Sequence, residues 1–186
     1  MDPALQLALR ASLALLLAAA ASHKLGDLAR FRAVVAAYEL LPSSLVAAVA
    51  TGVALVEAAL AASLVFGVGV ALAGTGAAAL MLAYAAAIFV NVRRGRTDID
   101  CGCMGPASRV PLGPLLVVRN LVLAGAASLL ALPVLMRPLV WIDAVSVLAT
   151  TTAMTACWLA AERMLALAPR MDAVRGGPPG SRGAGA

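Results

Sequence analysis

The sequence predicts an all-α integral membrane protein of about five transmembrane helices packed as a compact bundle. Two observations carry this reading. Of its 186 residues, 63% are hydrophobic and only 12% are charged, well outside the composition of a globular domain. The apolar residues, chiefly Ala, Leu and Val, fall into runs near the ~20 residues that cross a bilayer as helix, the form that satisfies its own backbone groups there. Abundant Ala and Gly allow such helices to approach closely.

The first run extends from about Leu5 to Ser22. Small residues at Ala18 to Ser22 offer a cleavage site of the signal-peptide kind. The preceding stretch carries Asp2, and its single base, Arg10, lies inside the run, so the segment reads as a retained span. The second run covers Ser44 to Gly67 and the third Val70 to Val92, joined by a short uncharged glycine turn. The fourth covers Leu112 to Leu132 and the fifth Leu139 to Ala161. Pro133 and Pro138 bracket the turn between these two. The connections His23 to Ser43 and Arg93 to Pro111 are longer and charged. The bundle therefore occupies residues 1–168, and the Gly-, Pro- and Arg-rich residues 169–186 read as a disordered basic tail.

The net charge of +5 does not indicate nucleic acid. The bases sit at helix ends rather than on one soluble face, which makes the lipid bilayer their partner. With five spans, the two long connections and the tail share one side. That side holds eleven of the fourteen Lys and Arg residues, the other only Arg10 and Arg137, and Arg119 lies within span four. The positive-inside rule then predicts a cytoplasmic cysteine loop and an external N-terminus.

Three cysteines are too few for a disulfide-stapled scaffold. Cys101 and Cys103 flank Gly102 in a polar loop. A disulfide needs Cα atoms about 5.5 to 6 Å apart, slightly less than an extended Cys-x-Cys allows, so bridging demands a turn, and Gly102 accepts the backbone angles of one. A ring so small is strained and readily reduced, which suits electron exchange. The opposing reading is two inert thiols. A metal site is a rival, with Cys101, Cys103, His23 and Cys157 as zinc ligands or Met104 helping to hold Cu(I). The paired ligand spacing of a zinc signature is missing, so no metal is assigned. Cys157, late in span five, reads as a small buried hydrophobe rather than a resolving thiol.

Glu57 lies thirteen residues beyond Ser44, about 20 Å along a helix and therefore inside the hydrocarbon layer. A carboxyl there is protonated, paired or in a wet cavity, and is a functional candidate; packing between helices is the alternative. Arg119, two turns into span four beside Asn120, reads as an interfacial anchor or as the cation that stabilises a thiolate, with Glu57 also in reach. Lys24 reads as snorkelling to headgroups. His23, the only histidine, is either a surface residue or a proton donor to a leaving thiolate.

A set of residues resembles the family of the methylamine utilisation protein MauE. It comprises His23-Lys24, Phe31, Tyr38 to Pro42, Glu57, Asn91, the Arg-Gly-Arg of Arg94 to Arg96, Ile99 to Cys103, Gly105 and Arg119-Asn120. The resemblance covers roughly Ser22 to Ala131. Met104 stands where the family usually has Phe, and no Pro precedes Glu57 closely. The resemblance implies a DoxX-like four-helix core and a multi-pass protein of the bacterial inner (plasma) membrane. It also implies a role in maturing a periplasmic enzyme with a disulfide-rich subunit, alongside a thioredoxin-like partner, and a redox role for Cys101 and Cys103. A periplasmic partner and the charge-derived cytoplasmic loop pull in opposite directions.

The combined expectation is membrane thiol–disulfide exchange or electron relay through Cys101 and Cys103, with His23 and Arg119 assisting. No cofactor follows with certainty; a quinone in a cavity beside Glu57 is a conjecture. The alternatives are a non-catalytic assembly scaffold and a metal-binding or small-solute membrane protein.

Overall fold

The structure, a computed structural model, describes residues 1–102 and 110–175. Cys103, Met104, Gly105 and Arg109 lie outside the described residues, as does the tail from residue 176. Six helices follow in order: α1 (Pro3–Gly26), α2 (Leu28–Ala37), α3 (Ser43–Phe66), α4 (Val70–Arg93), α5 (Pro114–Ser128, extended by a 3₁₀ turn at Leu129–Ala131) and α6 (Trp141–Arg175). Five of these helical segments are long and apolar enough to cross a membrane, and each coincides with an apolar run of the sequence.

Local chemistry explains the boundaries. Asp2 caps α1 by accepting from the Ala4 amide at 2.8 Å, and Pro3 follows at the first helical position. Gly67 ends α3 in the left-handed conformation at φ 73°, and Gly69 opens α4 at φ 57°, angles that favour glycine. Helices α4 and α5 pack closely because Gly74 has no side chain. A Cβ there would lie 2.6 Å from Leu130 Cβ and 2.8 Å from the Ala127 carbonyl.

Helices α1, α3, α4 and α5 form the four-helix core, filled by Leu13, Leu17, Leu64, Met81, Ala127 and Leu130. Helix α6 leans mainly on α1 and stays outside that core. It continues to Arg175 and so takes in the start of the expected tail.

The first connection holds an element that the apolar runs did not reveal. Asp27 caps α2 by accepting from the Arg30 amide at 3.0 Å. The Cα positions of α2 pack against α3, and Arg32 reaches Thr51 at 3.3 Å. α1 thus stops beside the middle of α3, and α2 covers the part of α3 that α1 leaves bare.

At the opposite end of α1, the N-terminal ammonium donates to the Pro133 carbonyl at 2.6 Å. Arg137 bridges Asp2 at 2.9 Å and Asp143 at 2.7 Å. These bonds raise the Arg137 pKa, with Asp143 the larger contributor, and Arg137 holds the Asp2 carboxyl below its ordinary range.

Candidate functional site

The cysteine loop is seated between α2, α4 and α5. The Asp100 and Pro111 strands form an isolated antiparallel bridge. Within it the Cys101 amide donates to the Val110 carbonyl at 3.0 Å, and the Leu112 amide to that of Thr97 at 3.0 Å. Cys101 is buried at 7% exposure in a small apolar cluster with Ile88, Val110, Leu112 and Leu116. The Tyr38 hydroxyl reaches its carbonyl at 3.4 Å. Asp100 is fixed by Arg30 at 2.9 Å, and its other oxygen accepts from the Gly102 amide at 3.3 Å.

Gly102 adopts φ 71°, a left-handed angle that favours glycine. Its missing side chain has a second use: a Cβ would stand 2.8 Å from Val34 Cγ1. The loop therefore lies directly on α2.

Arg119 connects this loop to the bundle interior. Its Nη2 stands 3.9 Å from Cys101 Sγ, at the long limit for a bond to sulfur, and its guanidinium lies 5.0 Å from the Trp158 ring centre. The plain reading of Arg119 as a headgroup anchor does not describe this placement.

Behind Arg119 is a buried polar triad. Lys24 pairs with Glu57 Oε1, and the side chains are 3% and 1% exposed. The Tyr84 hydroxyl donates to the same oxygen at 2.6 Å, and Lys24 Nζ lies 3.0 Å from that hydroxyl. Lys24 is further enclosed by the rings of Phe31 and Tyr84, at 5.1 and 4.8 Å. It occupies the last turn of α1, where the partial negative charge of the helix end favours a cation. Lys24 consequently does not snorkel to headgroups, because α1 ends beside the middle of α3 and aims it at Glu57. Glu57 Oε2 is buried without a hydrogen-bond partner.

A cavity of about 530 Å³ opens beside the triad between α1, α5 and α6. Glu57, Lys24, Tyr84, Arg119 and Asn120 line its polar end. His23 is exposed at the end of α1 and also borders the cavity. Cys157 borders it from α6 and is exposed rather than buried, because it lines this open space instead of a packed contact. Cys103, one of the four residues considered as zinc ligands, lies outside the described residues; among those described, no group of three or more His, Cys, Asp or Glu could hold a metal.

The structure thus brings Cys101, Arg119, Glu57 and His23 to one end of the bundle. Sequence reasoning missed Lys24, Tyr84 and Trp158 as parts of the site. The signal for Lys24 was the acid in span two, which needs a cation at its own depth; nothing in the sequence distinguished Tyr84.

A family model for methylamine utilisation protein MauE matches residues 2–133. The chain belongs to the MauE family. It is 42% identical over 155 residues to the methylamine utilization protein MauE of Paracoccus denitrificans, covering 82% of this chain and 83% of the relative. It is 38% identical over 166 residues to MauE of Methylophilus methylotrophus, covering 88% and 87%. To MauE of Paracoccus versutus it is 42% identical over 133 residues, covering 69% and 72%. No solved structure matches the chain. The family-model match takes in α1 to α5 and ends before α6, so it covers the four helices of the core.

Proposed function

We propose that this MauE-family protein is a membrane thiol–disulfide exchanger that supports maturation of a disulfide-containing protein in methylamine utilisation. The observation that carries the reading is Cys101, next to the positive-φ Gly102, with the Arg119 guanidinium 3.9 Å from its sulfur. A neighbouring cation favours the thiolate, which is the nucleophile of exchange.

Burial of Cys101 favours one order of events. Cys103 thiolate attacks a partner disulfide, forming a mixed disulfide and releasing one partner thiolate. Cys101 thiolate then attacks the Cys103 sulfur, releasing the second. The chain ends as a Cys101–Cys103 disulfide and the partner gains two electrons. Run in reverse, the same steps oxidise a partner dithiol. A thioredoxin-like protein is a partner of suitable chemistry. The setting is the bacterial inner membrane, with the loop on the cytoplasmic side by charge.

The test replaces each cysteine with Ser in intact cells. Both variants should abolish maturation, and Cys101→Ser should accumulate a mixed disulfide visible on non-reducing gels. Full activity of both would overturn exchange and leave an assembly scaffold. Thiol labelling from each side of sealed membranes checks the orientation; labelling only from outside would reverse it.

A further inference from the structure

We infer that the cavity between α1, α5 and α6 is a binding site for a lipophilic quinone that exchanges electrons with the cysteine pair. The electron-transfer part rests on the exchange reading above; the binding part does not. The cavity is long and one-sided in polarity. Along α1 its wall runs from Leu9 to His23, about 21 Å at the helical rise. Leu9, Leu13, Leu16, Leu123 and Ala126 make most of that length apolar; the hydroxyls of Ser12 and Thr155 along it donate to backbone carbonyls of their own helices, and the charged groups gather at the end near the cysteine loop. This shape fits a molecule with an oily chain and a compact polar head.

The head is specified by what the polar end lacks. Lys24 is already neutralised by Glu57, so the pair brings little net charge. Within the triad the unsatisfied atom is Glu57 Oε2, a buried acceptor, and leaving such an atom unpaired is costly. It calls for a donor. A quinol hydroxyl supplies one; a phosphatidylethanolamine ammonium is the rival donor, without an aromatic ring. Tyr84 and Trp158 place aromatic side chains at the same end.

Position supplies the link to redox chemistry. Arg119 lines the cavity and stands 3.9 Å from Cys101 Sγ, so one side chain borders both reaction centres. One thiolate adds to a quinone ring carbon. The other thiolate attacks that sulfur, the C–S bond breaks, and its electron pair stays on the ring. The ring takes up two protons, which the Lys24–Glu57–Tyr84 triad is placed to pass. The thiols lose two electrons and become the disulfide, and the quinone becomes quinol.

The experiment uses the full chain in nanodiscs with decylubiquinone as probe. Trp141→Phe leaves Trp158 as the single tryptophan, and quinones quench its emission. Quenching should saturate, and should do so equally in Cys101→Ser. Ala20→Phe, which adds bulk to the α1 wall of the cavity, should weaken binding at least tenfold while the helical circular dichroism is retained. Unsaturable quenching, or saturation unchanged by Ala20→Phe, would overturn the site. So would a phospholipid that native mass spectrometry finds retained against excess decylubiquinone. Separately, pre-reduced protein should form one quinol per chain, and Cys101→Ser none. Saturable binding without quinol formation would refute the electron transfer and leave the exchange reading to the mixed-disulfide trap.

Discussion

Replacing Lys24 with Met is the most direct test of the buried triad. The pair is 3% and 1% exposed by side chain, so water cannot compensate a lost partner. Removing one member of such a pair typically costs about 3–5 kcal/mol, because the other charge is left behind without its counterpart. Tyr84 would still donate to Glu57 Oε1 at 2.6 Å, which places Lys24→Met toward the lower end, near 3 kcal/mol. Glu57→Leu strands an ammonium that keeps only the Tyr84 hydroxyl and two ring faces, and should cost at least as much. The double variant removes both charges together and should recover most of the loss, since apolar replacements of buried pairs are often neutral. Reversible unfolding in mixed micelles, read as a double-mutant cycle, gives the coupling directly. Single variants within about 1 kcal/mol of the parent, the size of an exposed ion pair, would refute a buried and ionised Lys24–Glu57 contact.

Three other outcomes are expected. Gly102→Ala should unseat the cysteine loop, because it combines a positive φ with a Cβ 2.8 Å from Val34; the left-handed backbone alone costs about 1–2 kcal/mol. Alkylation of Cys101 in folded protein should accelerate, and unchanged kinetics would contradict the seating. Gly74→Val should push α4 from α5 and destabilise the bundle by about 1–3 kcal/mol, the usual range for overpacking, measured by unfolding midpoint. Finally, Arg137 holds the Asp2 pKa below its ordinary value of 3.8. The folded-state value is depressed, so the contribution is complete above that value and disappears as the pH falls through the lower folded one. Protease nicking near the N-terminus should rise only in that acid range, and Asp2→Asn should remove the dependence.

The spans were legible because their cause is local: runs of Ala, Leu and Val of bilayer length admit one structure. The need of Glu57 for a partner was legible for the same reason, since its depth follows from its distance along α3. The identity of that partner was not. It depends on where α1 stops relative to α3, and that is set by α2, whose Asp27 cap and Leu28, Phe31 and Val34 spacing lie within a charged connection. Arg119 was placed on the correct helix, but its direction, toward Cys101 and Trp158, is decided by packing across elements. Cys157 was assigned to the interior on composition alone; it lines open space on the one side where α6 has a neighbour.

That one-sided attachment of α6 bears on how an oily guest would come and go. Swinging α6 away from α1 uncovers the cavity along its length to the acyl chains, while Leu17, Leu64 and Met81 keep their neighbours. Traffic can then run laterally through the bilayer, and because Trp158 would leave Arg119 with the same movement, the surroundings of Cys101 change as the cavity opens.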